Sequence, residues 1–92
     1  MALWWLSFCD TARPKGTQFL GSAIVEAETI YHAVPAAWQH RCNPGGQVQL
    51  MELPDGLAKH VPPEWRHRLM TRQESEALDV QLTVAVRAEQ RG

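Results

Sequence analysis

Asn43-Pro44-Gly45-Gly46 divides a stretch with helical spacing from one that alternates, and this junction decides the architecture. Proline at 44 presets φ near about −65°, and Gly45 tolerates the positive φ required at the third residue of a type II turn. Asn43 is placed to end the preceding helix in a left-handed conformation, and Gly46 lets the backbone enter the next strand without steric cost. Upstream, Thr29 is placed to cap a helix carrying Ile30, Tyr31, Val34, Ala37, Trp38 and Arg41 at roughly helical spacing. Pro35 falls inside that helix and removes an interior hydrogen bond, which predicts one helix distorted near its middle. Downstream, residues 47–53 (QVQLMEL) alternate as a strand with Val48 and Leu50 on one face.

Residues 3–9 (LWWLSFC) read as a first strand that is nonpolar on both faces, buried on both sides or docking a partner at an edge. A loop over residues 10–17 leads to a second strand over residues 18–27. There Phe19, Ala23, Val25 and Ala27 share one face, and Leu20, Ser22, Ile24 and Glu26 the other. The loop is short enough for an antiparallel hairpin. Toward the C-terminus, Pro62-Pro63 is placed to initiate a short helix through Leu69. Thr71-Arg72-Gln73-Glu74 then has capping-box spacing, which predicts a second helix from Arg72 with Ala77, Leu78, Leu82 and Ala85 inward. The same tail alternates at Val80, Leu82, Val84 and Val86, a strand pattern, but no Gly or Pro breaks the helix after Asp79. The fold class expected is therefore α+β, one domain over residues 1–92: a β-hairpin, a helix and a strand, then a helical C-terminal part.

Ninety-two residues suit one core and leave little room for a deep interlobe cleft. An apolar fraction of 45% with 21% charged residues excludes wholesale disorder. A net charge of −1 argues against a general polyanion binder. Residues 1–6 are apolar but lack a basic leader region and reach Asp10 too soon for a signal peptide or a membrane span. A reduced, cytoplasmic protein with no membrane association is expected, with Cys9 and Cys42 as thiols.

The four histidines and two cysteines lack metal-ligand spacing, no motif calls for a cofactor, and none is expected. Cys9-Asp10 has no base placed beside it by the sequence, so no catalytic residue is assigned. Of the four tryptophans, Trp38 is expected in the core, while Trp4 and Trp65 are candidate anchors for a partner. The segment Lys59 to Arg72 surrounds Trp65 with Arg66, Arg68 and Arg72, a composition typical of protein interfaces and also of nucleic-acid contacts.

Four segments carry a resemblance to a group of small uncharacterised proteins from bacteria and their phages. They are Trp5-Leu6-Ser7-Phe8-Cys9-Asp10, Gln18-Phe19-Leu20-Gly21, Ile24-Val25-Glu26-Ala27 and Asn43-Pro44-Gly45-Gly46, within the first half of the chain. The resemblance carries no established activity, and Pro35 departs from the helical pattern it leads one to expect. Small single-domain phage proteins often inhibit host proteins, CRISPR complexes among them, so a host-protein inhibitor is what this context implies. The function expected is thus a non-enzymatic protein-interaction module with Trp65, Arg66, Arg68, Arg72 and Trp4 as partner contacts. The alternative is a nucleic-acid or nucleotide binder using Lys59 to Arg72.

Overall fold

The computed structural model describes residues 1–91; Gly92, counted above in the single domain, lies outside them. Strand β1 (Ala2–Cys9) is central, antiparallel to β2 (Phe19–Ala27) on one edge and to β3 (Gln47–Glu52) on the other. Helix α1 (Ile30–Gln39) joins β2 to β3, and after β3 come a one-turn helix α2 (Asp55–Ala58), a 3₁₀ turn (Pro63–Trp65) and α3 (Arg72–Arg91). This is the α+β arrangement expected: hairpin, helix, strand and a helical C-terminal part.

The nonpolar character of β1 on both faces has a direct cause, because both faces are covered. Trp4, Leu6 and Phe8 pack with Ala23, Val25 and Ala27 of β2 beneath Ala33 and Ala37 of α1. Leu3 packs on the opposite side with Ile24, Leu53, Val61, Met70, Leu78 and Leu82. Small residues at 33 and 37 let α1 lie close over the bulky rings of β1.

A β-bulge alters the faces expected of β2. Phe8 pairs with Gly21 and Cys9 with Phe19, leaving Leu20 as the extra residue. Leu20 consequently turns to the α1 side and Phe19 to the α3 side, the reverse of simple alternation. Gly21 has φ 137°, and a Cβ there would lie 2.6 Å from Leu69 Cδ1 and 2.9 Å from the Met70 carbonyl oxygen.

The end of α1 differs from expectation. Arg41, with φ 58°, is the left-handed residue, and Asn43 is not. Its N–H donates to Trp38 O at 3.1 Å and that of Cys42 to Ala37 O at 3.0 Å, the two bonds of a Schellman motif. Asn43 instead accepts the Gly45 N–H on its side-chain oxygen at 2.8 Å, an Asx turn, while Gly45 has the positive φ expected of it, 89°. At the other end, Thr29 is the N-cap residue, but its hydroxyl bonds His32 Nδ1 at 2.8 Å and not a backbone amide. The helix runs unbroken through Pro35, which leaves the Tyr31 carbonyl without its usual i+4 donor on an exposed surface.

In the C-terminal part, Thr71 and Glu74 form the reciprocal capping box. Glu74 N–H donates to Thr71 Oγ1 at 3.2 Å, and Thr71 N–H to Glu74 Oε1 at 3.0 Å. Helix α3 continues to Arg91, so Val80 to Val86 are helical. Its inner stripe is Ser75, Leu78 and Leu82 with half-buried Ala85; Ala77 is exposed. The helix expected through Leu69 is only the turn Pro63–Trp65, because the residues that follow extend along β2.

Arg41→Gly is expected to stabilise the protein by about 1 kcal/mol by relieving the left-handed strain, a gain readable as a rise of several degrees in Tm. Gly46→Ala acts in the opposite direction: its methyl would meet the Cys9 carbonyl oxygen at 2.5 Å, on a backbone with φ 77°. The expected loss is about 2 to 4 kcal/mol, against about 1 kcal/mol for Gly45→Ala, where the space is open. Equal losses at the two glycines in thermal melts would refute the close approach of Gly46 to β1.

Candidate protein-binding surface

The outer edge of β2 organises the basic segment. Ser22 and Met70 exchange backbone hydrogen bonds at 3.0 and 2.6 Å, and His67 N–H donates to Ile24 O at 2.7 Å. The next outward amide, that of Glu26, donates to the His67 ring nitrogen Nε2 at 3.1 Å. An imidazole thus stands where a strand would supply a carbonyl. It reaches there because His67 adopts φ 61°, which swings the segment away from the ladder.

The same arrangement uses up most of the charge. Arg66 donates to Glu26 Oε1 at 3.1 Å and to Val61 O at 3.2 Å. Arg68 pairs with Glu74 and lies over the Trp65 ring, 4.5 Å from its centroid. The Thr71 N–H, more than Arg68, holds the Glu74 carboxyl below its ordinary range. Lys59 Nζ and His60 Nε2 both contact Glu89 Oε1, at 2.9 and 2.8 Å, and Lys59 is the main reason that carboxyl also titrates low. Arg72 lies 5.1 Å from the centroid of Phe19.

The residues expected to contact a partner therefore fall into different environments. Trp65 is half-buried, packed against the cluster under α3, and Arg66 is half-buried in its ion pair. Arg68 and Arg72 are exposed. Trp4 is corrected from surface anchor to core: it is 8% exposed, and its indole N–H donates to Ala27 O at 3.0 Å. Trp38 is corrected in the other direction. It is 58% exposed.

Trp38 belongs to a surface that the sequence reading missed. On α1, Tyr31 (85% exposed), Pro35 and Trp38 follow one another at helical spacing on the side away from the sheet, flanked by Ile30 and half-buried Val34. The signal that could have found it is Ala33 and Ala37. Two small residues four apart mark the face that approaches the sheet, so the aromatic residues of the helix must point elsewhere.

Two hollows flank the sheet. One, of about 410 Å³, lies between α3 and the sheet and is lined by Trp5, Phe19, Met51, Leu53 and Leu57 with Arg72, Glu76 and Asp79. The other, beside α1, is lined by Glu26, Glu28, His32, His40 and His67. The His40 and His67 rings stack in it with centroids 3.9 Å apart. Among the described residues, no three His, Cys, Asp or Glu side chains converge as a metal site. Cys42 is buried, with its thiol directed at Ala37 O at 3.6 Å, and burial raises its pKa above the ordinary 9.0. A thiol held protonated in this way is a poor nucleophile. No protein-family model, curated protein or solved structure matches this chain.

His67 gives the fold a pH dependence of defined sign. Burial first, then His40 and Arg66, lower its pKa from the ordinary 6.5, while Glu26 acts in the opposite direction. A group with a depressed folded pKa contributes stability above its unfolded value that is lost as pH falls through the folded one. The Tm is accordingly expected to drop as pH falls from 7 toward 5. His67→Asn, which tolerates the left-handed backbone and does not titrate, should flatten that drop. Parallel pH profiles of Tm for the two proteins would refute the assignment to His67.

Proposed function

We propose that this chain is a non-enzymatic protein-interaction module whose contact surface is the exposed stripe Tyr31, Pro35 and Trp38 of α1, with Ile30 at its margin. The single observation that supports it is Trp38, 58% exposed on the same helical face as Tyr31, at 85%. Large rings left in water carry little stabilising burial in the isolated chain, and Trp and Tyr are the residues most enriched where partners anchor. Pro35 adds a rigid apolar element between them and offers the Tyr31 carbonyl no i+4 N–H. Use of such a surface to occupy and inhibit a host protein is the role that the resemblance to small phage proteins implies.

The nucleic-acid alternative, which uses Lys59 to Arg72, is weakened by the pairing of Arg66 with Glu26, Arg68 with Glu74, and Lys59 with Glu89. Among the described residues, this leaves Arg72 as the one Lys or Arg of that segment outside an ion pair. The two readings differ in their response to salt. A protein partner captured from the native host should lose about 2 kcal/mol or more of affinity with Trp38→Ala, with mild salt dependence. Because Trp38 is exposed, the variant should melt as the parent does. Unchanged partner affinity in Trp38→Ala and Tyr31→Ala, or steeply salt-sensitive binding to an oligonucleotide, would overturn the proposal.

A further inference from the structure

The two edges of the sheet are treated differently by the chain. The β2 edge is closed by Met70, by the His67 amide and by the His67 imidazole. The β3 edge is open. Leu53 N–H donates to Leu3 O, and from that pair the antiparallel register turns the N–H and C=O groups of Gln47, Gln49 and Met51 toward β1. Those of Val48, Leu50 and Glu52 consequently point outward, and among the described residues no other segment bonds to them. Helices α1 and α3 both pack mainly on β2, so β3 projects from beneath them. The strand has no lysine, proline or bulge of the kind that blocks edge pairing, and its one charge, Glu52, is at its end.

We infer that the β3 edge pairs with the β3 edge of a second copy of this chain, antiparallel about a two-fold axis at Gln49, joining two three-stranded sheets into one of six strands. This surface is distinct from the α1 stripe and does not depend on it. In this register Val48 of each copy faces Leu50 of the other as a hydrogen-bonded pair, and Gln47 faces Met51. Two half-buried apolar residues per chain thereby gain cover, and Gln49 meets Gln49 with amides that can bond each other. Glu52 lies opposite Gly46, so no like charges meet. The edge is neutral from Gln47 to Met51, and its two half-buried apolar residues, Val48 and Leu50, stand symmetrically about Gln49, so that the apolar pair of one copy matches that of the other. Because the β2 edge is already filled, the assembly closes as a dimer and does not extend into a filament.

Position 49 tests both the dimer and its register. Sedimentation of the full chain should show a dimer at high micromolar concentration. Gln49→Lys and Gln49→Glu, each placing like charges across the axis, should each weaken it by about fivefold, and mixing the two variants should restore it as a heterodimer. In a Cys9→Ser background, Gln49→Cys should give a covalent dimer under mild oxidation and Gln47→Cys should not. Facing non-hydrogen-bonded residues bring their Cα atoms to about 4.5 Å, within disulfide range. Gln49 is exposed, so these variants should keep the parent's circular dichroism. A parent chain that stays monomeric, including one that accepts only a foreign extended peptide, overturns the proposal. So does a dimer indifferent to the charge at residue 49.

Discussion

Strand β1 has both edges paired and both faces packed, and the rest of the chain is arranged around that enclosure. A segment such as Leu3-Trp4-Trp5-Leu6-Ser7-Phe8 has no side that water can take, so each face needs its own cover. The chain supplies α1 for the side of Trp4, Leu6 and Phe8, and the C-terminal segment with α3 for the side of Leu3 and Trp5. Two separate apolar clusters result, divided by the sheet. Each recruits residues distant in sequence, which ties the termini of the chain to the same central strand.

The enclosure also explains where the surface features fall. Helix α1 lies over a face already filled by a tryptophan and a phenylalanine, so it presents alanines inward and carries its own aromatics outward. Helix α3 lies over a face whose rings, Trp5, Phe19 and Trp65, are only half-buried; it places Leu78 and Leu82 inward and leaves a groove beside Trp5 and Phe19. The basic segment is first of all an edge cover for β2. Its arginines are paired because they sit along a strand that contributes Glu26 and beside a helix start that contributes Glu74.

Local chemistry was legible in the sequence wherever it acts over a few residues. The capping box at Thr71 and Glu74, the positive φ of Gly45 and the hairpin of LWWLSFC with the second strand all depend on near neighbours, and all can be read from composition and spacing. The bulge at Leu20 could not be, because it answers to contacts with Leu69 and Met70, some fifty residues on. The left-handed residue at Arg41 was hidden by a better-suited Asn43 two positions later. Trp4 and Trp38 were assigned to the wrong environments for one reason: hydrophobicity alone does not say which ring the sheet has room for. Of the candidate contacts, Arg68 lies over Trp65, while Arg66 pairs with Glu26 and Arg72 lies near Phe19; Glu26, Glu74 and Phe19, which hold these arginines, are not singled out by composition.

Closing a sheet edge with an imidazole has a consequence that a carbonyl would not have. A backbone carbonyl accepts a hydrogen bond at any pH, whereas the His67 nitrogen accepts only while it carries no proton. Protonation of His67 therefore withdraws the acceptor from the Glu26 amide, at the outer end of the segment that keeps β2 from being a second exposed strand. A chain with one free edge and a chain with two belong to different classes of self-association: the first stops at a pair, and the second can go on adding members. The His67 ring nitrogen thus stands on the very edge that separates these two classes, at a place where a carbonyl would be indifferent to acid.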